Sequence, residues 1–357
     1  MSEPIRVLVI DDSALMRKLI PQIISRDPDI HVVGTAMDGE FGLRKIEELK
    51  PQVVTLDLEM PRMDGMEALR QITRRYRLPV IMVSATTTEG ATSTFKALAL
   101  GALDFVPKPK DATGAKMGEI AAELISKIKV AAKTKLGKAP SSPSLEPQRI
   151  NKPLVKPKIQ AKKLVVIGIS TGGPNALQYM LSHLPGDFPG SIVIVQHMPE
   201  GFTDMFARRL DECCAIDVKE AQSGDMLLAG RALICPGNRH VRVRRMALGN
   251  MVVLSDEDRV NGHRPSADVL FQSAASEFGT EAIGLLMTGM GEDGAEGLGA
   301  MRRAGALTIA QDEQSCVVFG MPKIAIDRGF AQRVVSLELL ANTLVAQCAQ
   351  SRQKSAG

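Results

Sequence analysis

The segment Leu164-Val-Val-Ile-Gly-Ile-Ser-Thr-Gly-Gly-Pro174 determines how the second half of this 357-residue chain is expected to fold. It begins with an apolar, largely β-branched run, which is typical of a strand that is buried on both faces. The run ends in Gly168-Ile-Ser-Thr-Gly172, a G-x-S-x-G motif whose small residues allow a sharp turn from strand to helix. Pro174 suits the first turn of that helix. The segment therefore predicts a strand, a turn that exposes Ser170, and a helix.

The same alternation of short β-branched runs and amphipathic stretches extends along the chain on both sides of this segment. Further strands are expected at 192–195, 232–234, 283–287 and 307–310, and before the segment at 7–10, 31–35, 53–56, 80–83 and 104–106. Strands that alternate with helices favour parallel sheets covered by helices. The predicted fold class is therefore α/β, with two doubly wound parallel-sheet domains: a flavodoxin-like domain, then a larger Rossmann-like domain.

A segment of different composition, residues 129–163, separates these domains, which are expected to span 1–128 and 164–350. From Ala131 to Lys163 there are five Pro residues and nine Lys or Arg against a single Glu. Such a stretch buries little, so we expect a flexible, solvated linker of partly polyproline character. A docking role for its lysines is the alternative.

The position of the positive charge argues against nucleic-acid binding. The whole chain has a net charge of +4, whereas the stretch from Ala131 to Lys163 alone has +8, so the remainder has −4. The chain also has no Trp and only two Tyr, which disfavours a surface that stacks on bases. We therefore expect no nucleic-acid partner.

Membrane insertion and metal binding by cysteine are also disfavoured. No apolar run approaches the roughly 18 residues that a transmembrane helix needs, and the first ten residues lack the features of a signal peptide. The five Cys lack CxxC spacing, which indicates reduced thiols in the cytoplasm rather than a zinc site. We expect a cytoplasmic monomer.

Polar residues follow the predicted strands of the first domain. Asp11 and Asp12 follow the first strand, Asp57 the third, Ser84 the fourth and Lys108 the fifth. The carboxyl ends of parallel strands share one edge of the sheet, and three carboxylates there suit Mg²⁺. Asp57 could then attack phosphorus to form an aspartyl phosphate, while Ser84 and Lys108 contact phosphoryl oxygens. Each Asp taken alone could instead cap a helix.

This half of the chain resembles the receiver domain of two-component response regulators over its whole length. The matching segments are Val9–Ser13, Thr55–Gly65, Met82–Ala85 and Asp104–Pro109. The resemblance implies that a sensor histidine kinase donates a phosphoryl group to Asp57, and that Asp11 and Asp12 hold the metal.

A nucleophilic Ser170 requires a base, and the chain has five His. His197 follows the strand at 192–195, so it is expected at the same sheet edge as Ser170. His240 and His263 lie in predicted loops and are weaker candidates. His31 is expected in the other domain, and His183 on the surface of a helix.

Asp293 lies in the glycine-rich segment that follows the strand at 283–287, where it could orient the base or only cap the next helix. Ser170, His197 and Asp293 at three strand ends of one sheet provide what a Ser-His-Asp triad needs. Their order along the chain differs from the Ser-Asp-His order of α/β-hydrolases. A phosphate-binding loop is the competing interpretation of residues 168–172, but the Lys of a P-loop and the G-x-G-x-x-G spacing are both missing.

The second domain closely resembles the catalytic domain of the chemotaxis protein-glutamate methylesterases, and the order of receiver, linker and catalytic domain matches too. The matching segments are Gly168–Pro174, Gln196–Pro199, Pro236–His240, His263–Asp268 and Thr288–Gly294. The resemblance assigns the triad to Ser170, His197 and Asp293, and suggests that the backbone of Met290 contributes to an oxyanion site.

The same resemblance implies phosphorylation-regulated hydrolysis of glutamate methyl esters, and deamidation of glutamines, on methyl-accepting chemoreceptors. No cofactor is expected for the esterase reaction, since Mg²⁺ belongs to the receiver. We expect the unphosphorylated receiver to cover the Ser170 cleft. Two alternatives remain: a response regulator with a DNA-binding output, and a non-catalytic adaptor in which the polar residues only cap strands and helices.

Overall fold

The computed structural model describes residues 3–84, 88–108, 115–134 and 159–349, and the chain divides into two compact units. The central part of the predicted linker, residues 135–158, lies outside the described residues. Within the described ranges, no helix is long and apolar enough to cross a membrane.

The first unit is a parallel five-stranded sheet in the order β2-β1-β3-β4-β5, flanked by helices. All five strands predicted from the sequence are present. The elements are β1 (Ile5–Ile10), α1 (Ala14–Ile24), β2 (Ile30–Ala36), α2 (Gly39–Leu49), β3 (Val53–Asp57), α3 (Gly65–Gln71) with a π-helical turn (Ile72–Tyr76), β4 (Val80–Ser84), α4 (Thr88–Ala99), β5 (Asp104–Pro107) and α5 (Ala115–Lys133).

Helix α5 crosses the predicted domain boundary at residue 128. Ile128 and Ala131 are fully buried in the core of the first unit, so the apolar face of the helix continues beyond that position. Lys129 forms ion pairs with Asp27 (2.7 Å) and Asp29 (2.9 Å) on the outer face. The basic residues that indicated a linker therefore include the exposed side of a packed helix.

The second unit is built on a parallel seven-stranded sheet in the order β14-β13-β12-β6-β7-β9-β8. Its elements are β6 (Leu164–Ile169), α6 (Gly173–Ser182), β7 (Ser191–Gln196), α7 (Thr203–Cys213), β8 (Asp217–Glu220), β9 (Arg231–Ile234), β10 (His240–Met246), β11 (Gly249–Ser255), α8 (Ala267–Phe278) with a 3₁₀ turn (Gly279–Glu281), β12 (Ala282–Leu286), α9 (Ala295–Arg303), β13 (Leu307–Gln311), α10 (Met321–Asp327), β14 (Arg333–Val335) and α11 (Leu337–Ala349).

The five strands predicted for this unit are present, but the sequence did not predict β8, β14 or the antiparallel hairpin β10–β11. The two edge strands are short, and only one residue of β8, Val218, is a buried hydrophobic residue. In β10, buried Val241 and Val243 alternate with arginines. Such half-buried strands have a weaker apolar signal than the strands at the centre of a parallel sheet.

The unit also begins before the predicted residue 164. The backbone N–H of Ala229 donates to the carbonyl of Ile159, and that of Ala161 donates to the carbonyl of Leu227, at 3.0 and 3.1 Å. Residues 159–161 therefore belong to the folded second unit.

Strands β12, β6 and β7 are neighbours near the middle of this sheet, and their carboxyl ends lead to Asp293, Ser170 and His197. Residues 164–168 of β6 pair with 282–286 on one side and 191–195 on the other. From β6 the chain continues to β7 on one side, whereas on the other side β12 is followed by β13 and β14, farther from β6. Open α/β sheets form a crevice at the point where the strand order changes direction in this way. The fold thus brings the three candidate residues to one crevice.

Tight packing of α3 against β3 gives a test of the first unit. A Cβ at Gly65 would lie 2.0 Å from the backbone carbonyl oxygen of Asp57, which cannot rotate away. We expect Gly65→Ala to lower the free energy of unfolding of the first unit by about 1–3 kcal/mol, as overpacking does. Urea unfolding followed by circular dichroism measures this change.

Gly118, in α5, is the matched control because a Cβ there would meet nothing within 4 Å. Gly118→Ala should raise stability by up to about 1 kcal/mol through helix propensity. Equal effects of the two substitutions would contradict the packing argument.

Candidate phosphoacceptor and active sites

The carboxylates predicted at the first sheet edge form one cluster. Ligand atoms of Asp11, Asp12 and Asp57 all lie within 4.8 Å of one another, with Asp11 and Asp57 buried and Asp12 exposed. The ammonium of Lys108 lies 2.6 Å from Oδ2 of Asp57 and 3.3 Å from Oδ2 of Asp11. The structure therefore brings together four of the five residues that the sequence placed at this edge.

The cluster contains more negative than positive charge, and burial makes that imbalance costly. Burial raises the pKa of Asp57 to about 6, assisted by the charge of Asp11 and opposed by Lys108 and by the N–H of Leu58. Burial likewise raises the pKa of Asp11. Burial by itself would lower the pKa of Lys108, but Asp57 and Asp11 raise it, so the lysine stays charged. A single ammonium compensates three carboxylates only in part.

The cluster fits a divalent cation. Oδ1 of Asp11 accepts from the N–H of Ser13 and Oδ1 of Asp57 accepts from that of Leu58, so each Oδ2 is directed to the shared site. Oδ2 of Asp11 is buried, and apart from the charge of Lys108 at 3.3 Å it has no well-aligned hydrogen-bond partner among the described residues. Oxygen donors of this kind and charge are those that Mg²⁺ prefers.

Ser84 ends β4 at the same sheet edge, but its hydroxyl contacts α4. The hydroxyl of Thr94 lies 2.6 Å from Oγ of Ser84, and that Oγ lies 3.3 Å from the carbonyl oxygen of Gly90. The described contacts do not test its predicted role toward a phosphoryl group, which stays a prediction.

The turn after β6 has the geometry that the G-x-S-x-G motif predicts. Gly172 has φ +77°, a conformation that favours glycine, and a Cβ there would lie 2.5 Å from Cβ of Val317. A Cβ on Gly289 would lie 2.8 Å from Cβ of Ser170. The backbone N–H of Ser170 donates to the carbonyl of Thr288 at 3.0 Å. The serine is therefore held between two close backbone segments.

His197 and Asp293 are in direct contact. Nε2 of His197 lies 2.8 Å from Oδ2 of Asp293, and the His197 side chain is 10% exposed while that of Asp293 is fully buried. On the opposite side of the ring, Nδ1 is buried and has no hydrogen-bond partner among the described residues. Donation from Nε2–H to the carboxylate leaves the lone pair on Nδ1, where it can accept a proton.

The environment of Asp293 stabilises its negative charge. Its oxygens accept from the hydroxyl of Ser266 (2.5 Å) and from the backbone N–H groups of Ala267 (2.7 Å) and Asp268 (3.4 Å), at the start of α8. Burial raises the pKa of Asp293, but the hydrogen bonds and the interaction with His197 outweigh it and lower the pKa to about 2. The carboxylate therefore caps α8, whereas its own following helix, α9, has Gly294 at its N-cap.

The remaining histidines are also placed by the structure. The ring of His263 stacks on that of His197, with centroids 3.9 Å apart and planes at 8°, so it covers one face of the candidate base. His240, at the start of β10, is buried, with its two ring nitrogens near Asp258 O and Ser266 N. His31 and His183 are exposed. Of the weaker candidates, His263 thus contacts the candidate base directly, whereas His240 contacts the backbone of Ser266.

The predicted contribution of the Met290 backbone to an oxyanion site is not tested by the described contacts and stays a prediction. The neighbouring N–H of Gly289 donates to the carbonyl of Val318 at 3.0 Å. Met290 therefore follows a residue whose own N–H is already used.

Two residues of the site were missed as functional groups by sequence reasoning. Ser266 precedes α8 and looks like an N-cap, yet its hydroxyl makes no capping hydrogen bond and donates to Asp293. Gln196 ends β7, and its side-chain Nε2 donates to the carbonyls of Ser170 and His197. The available signal for Gln196 was a polar residue directly after the apolar run 192–195. No comparable signal in the sequence marked Ser266.

The fold and these residues define a two-unit α/β protein: a sheet with a carboxylate–lysine cluster, followed by a sheet with serine, histidine and aspartate at three adjacent strand ends. Residues 7–116 match the response regulator receiver domain, and residues 165–344 match the CheB methylesterase family. The chain belongs to the CheB methylesterase family and carries a receiver domain.

Similar proteins cover nearly the whole chain. A protein-glutamate methylesterase/protein-glutamine glutaminase 2 from Koribacter versatilis is 61% identical, over 99% of this chain and 98% of that protein. A protein-glutamate methylesterase/protein-glutamine glutaminase from Pyrococcus horikoshii is 45% identical, over 97% and 94%. The crystal structure of the Thermotoga maritima CheB methylesterase catalytic domain is 38% identical with a TM-score of 0.51, and covers 53% of this chain and 99% of that one.

The low pKa of Asp293 predicts a pH-dependent contribution to stability. Because its pKa of about 2 lies below the ordinary 3.8, the ionised group stabilises the fold above roughly pH 4, and this contribution is lost as the pH falls through 2. We expect Asp293→Asn to lower the free energy of unfolding by about 2 kcal/mol at pH 7. Urea titrations between pH 2 and 7 should show the difference from wild type shrinking toward pH 2.

Asp327→Asn is the control, since that carboxylate is exposed and pairs with Lys323 on the surface of α10. Its effect should be small throughout this range. A wild-type minus Asp293→Asn difference that is constant with pH would contradict the assignment of a stabilised charge.

Proposed function

We propose that this protein hydrolyses glutamate γ-methyl esters on chemoreceptors, deamidates receptor glutamines by the same chemistry, and does so under the control of its receiver. The names of its full-length relatives support the reaction class. The observation that carries the site assignment is the contact between His197 Nε2 and Asp293, which leaves Nδ1 buried and, within the described part of the chain, without a hydrogen-bond partner.

In this proposal Nδ1 of His197 accepts the proton of the Ser170 hydroxyl while Oγ attacks the ester carbonyl carbon. Asp293 keeps the proton on Nε2 and stabilises the imidazolium that forms. Collapse of the tetrahedral intermediate breaks the ester C–O bond, and the imidazolium returns the proton to methanol. Water then attacks the acyl-serine with His197 again as base, which releases the glutamate. For a glutamine the leaving group is ammonia.

The first unit is proposed to receive a phosphoryl group from a sensor histidine kinase on Asp57. Bound Mg²⁺, held by Asp11, Asp12 and Asp57, would offset the charge of the carboxylates and of the phosphoryl oxygens. Lys108 already touches Asp57 and can move to a phosphoryl oxygen.

Substitution of the nucleophile tests the reaction. We expect Ser170→Ala to lower the rate of methanol release from methyl-labelled chemoreceptor membranes by about 10⁴-fold or more, because the acyl-enzyme cannot form. Circular dichroism checks that the fold is kept.

The matched control is Ser182→Ala, which removes a hydroxyl at the far end of α6 that contacts only the local carbonyl of Tyr179 and the His183 ring. It should keep wild-type activity. Full activity in Ser170→Ala would refute the triad, whereas no methanol release by the wild type would favour a non-catalytic adaptor.

Removal of the phosphoacceptor tests the regulation. A small acyl phosphate and Mg²⁺ should raise the methanol-release rate of the wild type, whereas Asp57→Asn should show its basal rate only, because the amide cannot attack phosphorus. Asp64→Asn is the control: Asp64 caps α3 in the loop that follows β3, and Asn caps equally well. Loss of the response in both variants, or in neither, would contradict the assignment to Asp57.

A further inference from the structure

The side chain of Gln196 is the one described polar group that contacts the main chain of both candidate catalytic residues. Its Nε2 lies 3.0 Å from the carbonyl oxygen of Ser170 and 3.1 Å from that of His197. Gln196 itself is 2% exposed. An NH₂ group has two protons, so one can be donated to each carbonyl.

The rotamer of this amide is defined by its surroundings. Both acceptors are carbonyl oxygens, so the nitrogen has to face them, and Oε1 faces away. A Cβ on Gly173 would lie 2.0 Å from that Oε1, so a larger residue there would displace the amide. Among the described residues, Oε1 is buried and accepts no hydrogen bond. Leaving a buried oxygen unpaired costs about 1–3 kcal/mol, so the fold keeps this amide despite a penalty.

The two carbonyls have few other constraints. The carbonyl of Ser170 also accepts from the N–H of Gly173 at 2.8 Å, within its own turn. The last backbone hydrogen bond between β6 and β7 runs from the N–H of His197 to the carbonyl of Ile169, at 3.0 Å. Beyond this point the two chains diverge into separate loops. Beyond that last backbone hydrogen bond, the side-chain amide of Gln196 joins the segment after β6 to the segment after β7.

We infer that Gln196 is a positioning residue, which fixes the distance between the nucleophile Ser170 and the base His197 by binding the backbone of both. This inference rests on the proposed function, because it assigns those two residues their roles. Gln196 does not touch the reacting atoms. Its loss would let the two loops separate, and a displacement of about 1 Å between reacting groups can cost about 10²-fold in rate.

Gln196→Glu tests this with a proton-dependent readout. A neutral glutamic acid has one O–H to donate, whereas its carboxylate has none and would face two carbonyl oxygens. Burial and the lack of donors should raise the pKa of the introduced carboxyl group. Among the described residues, the ionisable groups of the site near it are His197, His263 on the face of that ring, and Asp293.

We expect kcat of Gln196→Glu to lie within about tenfold of the wild-type value at pH 5.5 and about 10²-fold below it at pH 8.5. The wild-type rate should instead rise with pH, because the base has to be neutral to accept a proton. KM for a methylated receptor peptide should change little. Gln196→Met, which cannot donate at any pH, should lose about 10²-fold in kcat throughout.

Gln178→Met is the matched control, since Gln178 is a buried glutamine of α6 whose Oε1 contacts Nε of Arg209 instead; it should keep the wild-type rate and pH profile. Rates are expressed per folded molecule, measured by near-ultraviolet circular dichroism. A purely structural role would lower the folded fraction but leave the pH profile unchanged.

A wild-type kcat and pH profile in Gln196→Glu, or full activity in Gln196→Met, would overturn the inference while leaving the triad intact. Full activity in Ser170→Ala would instead refute the proposed nucleophile, and with it the inference, whatever the pH profile of Gln196→Glu. The two failures are thus separable.

Discussion

The buried carboxylate of Asp293 is the group on which the geometry of the second unit depends. A buried charge is costly unless it is fully hydrogen-bonded, and here donors from His197, Ser266 and the first turn of α8 converge on it. The donors lie on two segments of the chain, the loop after β7 and the start of α8, and Asp293 itself lies on a third. The charge therefore fixes the ring of His197, the start of α8 and the loop after β12 relative to one another.

In the first unit, the pKa of the buried carboxylate Asp57 is shifted in the opposite direction. Asp57 has one neighbouring ammonium and another carboxylate, and burial raises its pKa to about 6, whereas the donors around Asp293 lower its pKa to about 2. A carboxylate that is fully satisfied serves as a fixed part of the scaffold. One that lacks compensation favours an added cation or a change in its own charge, which suits a residue that is to be modified.

Sequence reasoning predicted the parallel sheets and the residues at their strand ends because both depend on local signals. Continuous apolar runs indicate buried strands, and polar residues directly after such runs are expected at one sheet edge. Orientation was not predictable in this way. That Ser84 contacts α4, that His263 stacks on His197 and that Ser266 donates to Asp293 all depend on loops whose paths the periodicity does not specify.

Helix α5 runs past residue 128, where the sequence predicted the linker to begin, for a related reason. Basic composition indicated a linker from residue 129, but a helix can carry such residues on its outer face while Ile128 and Ala131 are buried beneath it. Composition averages over a segment, whereas a helix distributes residues between two faces with a period of about 3.6 residues. Charge in this chain is informative only once the face it occupies is known.

Because hydrogen bonds and His197 lower the pKa of Asp293 to about 2, the proposed control of the second unit would not act through the charge of this acid. The remaining variables are the access of substrate to Ser170 and the separation of Ser170 from His197. The second is set by backbone positions just beyond the last hydrogen bond between β6 and β7, where a single side-chain amide joins the two loops. In the proposed regulation, a distant signal would therefore act on these loops, while the sheet and the buried carboxylate stay constant.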